Sequence, residues 1–248
     1  MYPYLSEFIG TCMLVILGDG VCASNGLEGS LFKGSGPVYV MIGWGLAVAL
    51  PAMAFGYQSA AHFNPVLTIA MAVIGSFPWS MVPGYILAQM CGGFLGAIIV
   101  WLIYKDQFAL TEKTFGEDSI GTCRGTFCTG PAIRNLGQNF FGELAATFFL
   151  VFLIVCITPT AATVGLNYWF VFAIIMCCGF SLGSTTGFAM NPARDTAPRL
   201  AYALLPFKYK DADWKYAWVP ILGPLCGAIL GGLLGSVVTS WPGLSSFL

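Results

Sequence analysis

The chain has 248 residues, of which 57% are hydrophobic and 8% charged, and its formal net charge is −1. Because a soluble domain carries roughly a quarter charged residues, this composition excludes a soluble core and predicts an integral membrane protein. The net charge of −1 says nothing about partners, and no basic patch argues for a nucleic-acid partner.

Long uncharged stretches predict several membrane spans. No Asp, Glu, Lys or Arg occurs in 34–104, 144–193 or 216–248. The start, "MYPYLSEFIGTCMLVILG", has no basic segment and no small-residue cleavage site, so it predicts a retained first span rather than a leader peptide. Because a span needs about 20 apolar residues, we predict spans at 4–25, 38–58, 82–104, 139–158, 167–183 and 217–239.

Two further segments are helical in character but too short to span. They are "HFNPVLTIAMAVIGSFPWS", after the second span, and "AMNPARDTAPRLAYALLP", after the fifth. Each offers only about 10 to 12 helical residues, which is half of what a span requires. Non-helical backbone at membrane depth is tolerated only where protein buries it or where it lines a wet cavity. The sequence therefore predicts two re-entrant half-helices.

The two halves of the chain repeat each other weakly and in the same order. "SEFIGTCMLVIL" pairs with "GELAATFFLVFL", the first Asn-Pro pair with the second, and "CGGFLGA" with "CGAILGG". Each half would hold three spans and one half-helix, and an odd number of crossings inverts the second copy relative to the first. We predict one membrane domain, 1–248, built of inverted repeats at about 1–104 and 138–248 that are joined by a loop at 105–137.

Each half-helix begins at an Asn-Pro pair, Asn64-Pro65 or Asn191-Pro192. Asn is a good N-cap, and Pro suits the first helical position, so one such pair alone indicates an ordinary helix start. Two pairs at matching positions of an inverted repeat favour a functional role. The positive helix ends would meet at the membrane centre, where both Asn side chains can donate hydrogen bonds.

Arg194, Glu7 and Glu143 are ionisable residues in apolar segments, where charge is expensive and marks a pathway. Arg194 falls in the first turn of its half-helix, and its planar fork can donate two hydrogen bonds to a polyol. The alternative for Arg194 is a structural pair with Asp195. Glu7 and Glu143 fit either a proton relay or anchors that accept backbone hydrogen bonds from the re-entrant loops, and we favour anchoring.

Metal and enzyme chemistry have little support in this composition. With a single histidine and no CxxC pair, the nine cysteines do not predict a zinc site, and we predict no cofactor. Cys123 and Cys128 share a polar loop, where free thiols are favoured over a disulfide. No nucleophile–base pair is apparent, so an enzyme is not predicted.

These motifs together resemble a known family. "GFAMNPARD" in the second half, "HFNPVLTIA" in the first and a glutamate early in each half resemble the aquaporin superfamily, and specifically its bacterial glycerol-facilitator (aquaglyceroporin) branch. The resemblance covers nearly the whole chain. It implies an all-α right-handed bundle of six transmembrane helices and two half-helices, assembled as a homotetramer in the cell membrane with both termini in the cytoplasm.

The resemblance also implies a function. Members of this branch are passive channels for glycerol, other small neutral solutes and water, and they exclude ions and protons. Dihydroxyacetone, urea, hydrogen peroxide and undissociated lactic acid are further solutes small enough for such a channel. The small solutes, the lipid bilayer and further copies of the chain are therefore the expected partners.

Site residues follow from the resemblance, motif position by motif position. It places the selectivity filter at Trp44, Gly179, Phe188 and Arg194, and the central constriction at Asn64 and Asn191. Water-selective relatives usually carry a histidine where Gly179 stands. The carbonyls implied to line the pore belong to Ala60, Ala61, His62, Phe63, Gly187, Phe188, Ala189 and Met190. For His62, a loop-anchoring role is favoured over a pH gate.

Two features depart from the family pattern. Val66 stands where the family has alanine, which adds two methyl groups at the expected contact of the half-helices. The family topology also puts all ten Lys and Arg residues on the outer side or in the pore, whereas the positive-inside rule favours the reverse. We follow the family topology.

Two other functions compete with the channel. The first is an inverted-repeat secondary transporter coupled through Glu7 or Glu143. The second is a structural junction protein with a closed pore. The channel interpretation is preferred because it accounts for the paired Asn-Pro starts and for Arg194.

Overall fold

The computed structural model describes residues 1–164, 166 and 168–241, and regular structure in these residues is helical throughout. The predicted all-α fold class is therefore confirmed. Ten α-helices follow in chain order: α1 (Tyr2–Gly26), α2 (Gly36–Ser59), α3 (Pro65–Val73), α4 (Val82–Ile103), α5 (Lys105–Phe115), α6 (Ser119–Phe127), α7 (Leu136–Thr163), α8 (Trp169–Leu182), α9 (Pro192–Leu204) and α10 (Val219–Thr239).

Five of the described helices are long and apolar enough to cross a membrane. They are α1, α2, α7, α10, and α4 together with the 3₁₀ turn that precedes it. The predicted span at 167–183 corresponds to α8, which has 14 residues. It begins only after Tyr168, whose left-handed φ of 63° interrupts helical geometry. Asn167, the predicted first residue of that span, lies outside the described residues.

The segment 105–137, predicted as a loop, contains the helices α5 and α6. Asp106 in the first turn of α5 and Lys113 in its last turn both complement the helix dipole. Phe108 of α5 and Phe127 of α6 are fully buried, and their rings stack with centroids 5.4 Å apart. This aromatic contact, which a polar composition conceals, joins α5 to α6, and the Phe127 ring also stacks on Tyr202 of α9 with centroids 5.7 Å apart.

Helix packing follows the same pattern in both halves of the chain. Helix α1 packs on α4 as α7 packs on α10, and α2 packs on α8. Each half-helix crosses over to the other half, because α3 packs on α10 and α9 packs on α4. The two short helices, one from each half of the chain, therefore lie in the middle of the bundle.

Glycines set the distance between the paired long helices. A Cβ at Gly92 of α4 would lie 2.3 Å from the Phe8 carbonyl oxygen, and a Cβ at Gly227 of α10 would lie 2.1 Å from the Leu144 carbonyl oxygen. A Cβ atom at either position would clash with backbone, so neither position has room for a side chain. This is expected for membrane helices that pack through small residues. Phe8 and Leu144 occupy matching places in the repeat.

Substitution on α10 tests this packing. We expect Gly227→Ala to lower the free energy of unfolding by about 1–3 kcal/mol, because backbone must move to admit the methyl group. Gly232→Ala is the matched control on the same helix, since its Cβ would meet its nearest neighbours at an ordinary 3.5 Å. Thermal unfolding in detergent measures both variants. Equal melting temperatures for the two would contradict this account.

Candidate functional site

The two half-helices begin at asparagines that act as N-caps. The Asn64 Oδ1 accepts a hydrogen bond from the Val66 N–H at 3.1 Å at the start of α3. The Asn191 Oδ1 accepts from the Ala193 N–H at 2.9 Å at the start of α9. Both caps satisfy backbone donors that a helix start leaves unpaired.

The two asparagines also bind each other's loop. The Asn64 Nδ2 donates to the Met190 carbonyl oxygen at 2.9 Å, and the Asn191 Nδ2 donates to the Phe63 carbonyl oxygen at 2.8 Å. A side-chain amide has two N–H groups, so each asparagine keeps one donor beyond this bond. The structure thus brings the two predicted central residues together through reciprocal hydrogen bonds.

Two buried glutamates hold the loops that precede the half-helices. The Glu7 carboxylate accepts from the backbone N–H groups of His62 at 2.9 Å and Phe63 at 2.7 Å. The Glu143 carboxylate accepts from those of Ala189 and Met190, both at 3.0 Å. Both glutamates have 0% exposure. These are the contacts that the anchoring interpretation requires.

Left-handed backbone recurs in both re-entrant loops. Positive φ angles between 41° and 63° occur at Ala60, Ala61, Phe63, Phe188 and Met190. Non-glycine residues rarely adopt this conformation, and it persists only where surrounding contacts impose it. The glutamate anchors supply such contacts.

Two cavities lie along the loops. The first, named here the central cavity, has a volume of about 270 Å³ and is lined by residues that include His62, Asn64 and Asn191. The second, named the mouth cavity, has a volume of about 510 Å³ and is lined by residues that include Met41 and Thr129. Three residues line both, and they therefore form the constriction between the cavities: Trp44, Phe188 and Arg194.

The constriction contains one cation and two aromatic rings. The Arg194 guanidinium carbon lies 4.0 Å from the centroid of the Trp44 ring. The Phe188 ring packs against α8, where a Cβ at Gly179 or Gly183 would lie 3.3 Å or 2.5 Å from it. Gly179 lines the mouth cavity. All four residues of the predicted filter are thus close together.

Most of the residues predicted to line the pore with carbonyls border one of these cavities. Phe63 borders neither, and its ring lies where a Cβ of Gly10 would stand. The Phe63 carbonyl instead accepts the Asn191 amide hydrogen. The other seven residues line the central or the mouth cavity: Ala60, Ala61, His62, Gly187, Phe188, Ala189 and Met190.

Asp195 is not the partner of Arg194. The Asp195 carboxylate binds Arg199 at 2.8 Å and accepts from the backbone N–H and the hydroxyl of Thr129, both at 2.7 Å. The Arg194 Nη1 faces the Asp19 Oδ1 at 3.7 Å and the Phe127 carbonyl oxygen at 3.5 Å. The structural alternative considered for Arg194 therefore lacks its contact.

Sequence reasoning missed two residues at the constriction. Asp19 could have been identified from the sequence, because it is an ionisable group inside the first span and such groups usually mark function. Met41 carried no such signal. A Cβ at Gly179 would lie 2.2 Å from the Met41 Sδ, so this thioether fills the space that the glycine opens.

Three remaining expectations concern Val66, His62 and the cysteines. Val66 is buried in an apolar cluster with Ala70, Val151 and Ala228 and borders neither cavity. The His62 Nδ1 lies 3.1 Å from the Thr68 hydroxyl. All nine cysteines, each of them in the described ranges, are free thiols: Cys12, Cys22, Cys91, Cys123, Cys128, Cys156, Cys177, Cys178 and Cys226. Burial raises the pKa of the Cys123 thiol to about 12, so this residue stays protonated at neutral pH.

Comparison with known proteins agrees with this geometry. The profile of the major intrinsic protein family matches residues 2–234. A probable glycerol uptake facilitator protein of Thermotoga maritima is 46% identical over 228 residues, which are 92% of this chain and 95% of that protein. The glycerol uptake facilitator protein of Bacillus subtilis is also 46% identical, over 92% of this chain and 81% of that protein.

A solved structure matches as well. The X-ray structure of the aquaglyceroporin from Plasmodium falciparum superposes with a TM-score of 0.82 at 28% identity, covering 96% of each chain. The fold and the sequence likeness both extend over nearly the whole length. The chain therefore belongs to the major intrinsic protein family.

Proposed function

We propose that the chain is a passive membrane channel for glycerol and similar small neutral solutes, with water passing too. The observation that carries this proposal is the constriction of Trp44, Phe188 and Arg194 between two cavities, with Gly179 beside it. The names of two relatives, both glycerol uptake facilitators, support the same solute class.

The chemistry of the proposed filter suits a polyol. Arg194 directs Nη1 toward Asp19 and Phe127, while its remaining N–H groups have no partner in the described part of the chain. A planar guanidinium can donate to two neighbouring hydroxyls at once. The Trp44 and Phe188 rings face the same space and contact the C–H side of the molecule. A linear solute with hydroxyls along one edge fits both surfaces.

The proposed central constriction orients the passing oxygen. Asn64 and Asn191 each keep one N–H donor at the central cavity, beside the positive end of a half-helix. A water oxygen that accepts from both donors cannot pass a proton straight along the file. Cations meet the positive ends of the two half-helices, which repel them.

The alternatives fit the geometry less well. A transporter coupled through Glu7 or Glu143 needs a carboxylate that exchanges protons with solvent. Both carboxylates are fully buried, border neither cavity, and accept the hydrogen bonds that hold the loops. A junction protein with a closed pore has no use for two cavities that meet at a charged constriction.

Solute flux into proteoliposomes, followed by stopped-flow swelling, tests the channel. We expect flux that rises linearly with glycerol concentration and ignores a proton gradient, measured also for urea, dihydroxyacetone, hydrogen peroxide and lactic acid. Saturable flux that follows the proton gradient would instead support the transporter. Permeability no greater than that of empty liposomes would support the junction protein.

Variants of Arg194 test the filter itself. Arg194→Ala removes the positive charge from the constriction and should raise proton leak about tenfold, which corresponds to a barrier lower by about 1.4 kcal/mol. It should also lower the preference for glycerol over urea, because the paired donors are lost. Arg194→Lys keeps the charge without the fork, so we expect low proton leak but the same loss of preference. Wild-type selectivity in both variants would rule out this assignment.

We also propose a homotetramer in the plasma membrane with both termini in the cytoplasm, as the family resemblance implies. This topology puts the connections after α1, α4 and α9 on the outer side. Lys33 lies in the first of these connections and pairs with Glu28. A membrane-impermeant thiol reagent should therefore label Lys33→Cys from outside intact cells. Chemical cross-linking in the membrane tests the oligomer.

A further inference from the structure

A buried carboxylate stands behind the proposed filter. Asp19 of α1 has 0% exposure, and its Oδ1 lies 3.7 Å from the Arg194 Nη1. Neither carboxylate oxygen has a hydrogen-bond partner in the part of the chain that the structure describes. Asp19 borders neither the central nor the mouth cavity. It therefore contacts the filter arginine but not a passing solute.

The same turn of α1 also positions the filter tryptophan. A Cβ at Gly18 would lie 2.3 Å from the Trp44 ring, so the ring rests directly on the helix backbone. The Trp44 Nε1 donates to the Cys22 Sγ at 3.3 Å. Gly18, Asp19 and Cys22 thus hold the two residues, Trp44 and Arg194, that stack at 4.0 Å.

No other described carboxylate is near enough to serve Arg194. Asp19 is the one that lies within 4.0 Å of its guanidinium. Asp195, the next residue along the chain, is committed to Arg199 and Thr129. A buried charge without a counter-ion is energetically unfavourable, so removing one partner of a buried ion pair leaves the other charge uncompensated and destabilises the protein. The filter is close to electrically neutral only because Asp19 is present.

We propose that Asp19 is a positioning residue that determines specificity. It neutralises Arg194 and holds the guanidinium against Trp44, so that the filter favours uncharged solutes with adjacent hydroxyls and does not attract anions. This proposal rests on the proposed function, since it presumes that solutes pass this constriction. It adds that the arginine alone is not sufficient for the selectivity.

Substitution of Asp19 gives the direct test. Asp19→Asn keeps the shape but removes the charge, and should lower the glycerol-to-water permeability ratio about fivefold, equivalent to roughly 1 kcal/mol. Uptake of a small anion, formate, should rise at the same time. Asp19→Glu keeps the charge and should retain a ratio near that of the wild type. An unchanged ratio and formate uptake in Asp19→Asn, or equal losses in both variants, would overturn the proposal.

A control on the same helix separates this effect from a general loss of folding. Thr11 of α1 is also fully buried, with a hydroxyl that has no hydrogen-bond partner in the described residues. Thr11→Val removes that polar atom two turns away and should leave both permeabilities unchanged. A loss of ratio equal to that of Asp19→Asn would show that any polar change on α1 disturbs the filter, and would overturn the proposal.

A double variant tests whether Asp19 acts through Arg194. In the Arg194→Ala background, Asp19→Asn should change the permeability ratio no further, and a second fivefold loss would overturn the proposal. If Asp19→Asn alone fails to accumulate, recovery in the double variant supports the pairing, and failure of both overturns it. If liposomes that contain the wild-type protein do not conduct glycerol, the proposed function is refuted. If they conduct glycerol and the Asp19→Asn variant has the same permeabilities as the wild type, only this inference is refuted.

Discussion

Gly179→His is expected to lower glycerol permeability by about a hundredfold, which corresponds to roughly 2.7 kcal/mol at the barrier, while water permeability falls far less. Gly179 borders the mouth cavity beside Phe188, and Arg194 lines the same cavity. An imidazole there narrows the constriction and occupies the space that a polyol needs. A water molecule, which is smaller, still fits. Stopped-flow measurements of both permeabilities on the same vesicles give the ratio.

The neighbouring thioether requires its own control. A Cβ at Gly179 would lie 2.2 Å from the Met41 Sδ, so any side chain displaces Met41. Gly179→Ala tests that displacement alone, and the double variant Gly179→His with Met41→Ala gives the imidazole room. We expect the double variant to remain poor for glycerol and to recover water permeability. Equal loss of glycerol and water in every variant would count against the filter assignment.

Arg199→Met is expected to have the largest effect on stability, about 3–5 kcal/mol, because it leaves a buried carboxylate without its counter-ion. Arg199 has 0% exposure and pairs with Asp195 at 2.8 Å. It also donates to the carbonyl oxygens of Thr129 at 2.8 Å and Ala212 at 2.7 Å, which fixes the connections that follow α6 and α9 onto α9. The melting temperature in detergent should fall accordingly.

A half-exposed ion pair in the same region serves as the matched control. Arg124 pairs with Asp211 at 3.7 Å, and the aspartate side chain is 66% exposed. Exposed pairs contribute only about 0–1 kcal/mol, so Arg124→Met should shift the melting temperature little. Adding Asp195→Asn to Arg199→Met should restore part of the lost stability. Similar melting temperatures for Arg199→Met and Arg124→Met would contradict the buried-pair account.

Local chemistry explains which parts of the molecule could be predicted. The half-helix starts at Asn64 and Asn191 follow from cap and proline preferences within three residues, so the sequence indicates them directly. The anchoring role assigned to Glu7 and Glu143 needed only the repeat and the cost of a buried carboxylate. Long apolar stretches likewise indicated the spans, although the short α8 depends on the turn at Tyr168.

Tertiary contacts explain what could not be predicted. Asp195 has arginines both one residue before it and four residues after it, and a helix puts the fourth rather than the first on the same face. That spacing favoured Arg199, yet only the structure shows Arg194 turning toward Asp19 instead. Met41 reaches the constriction because two distant helices meet there. The helices α5 and α6 depend on buried aromatic contacts in a segment whose composition is polar.

The exchanged asparagine bonds bear on how the protein is made. The Asn64 amide finds its acceptor at Met190, 126 residues further along the chain. During synthesis the Asn64 side-chain amide must therefore wait for this acceptor until the ribosome has produced about half of the second repeat. The two exchanged bonds at the centre can form only after both re-entrant segments have been made, so neither repeat can complete the centre alone.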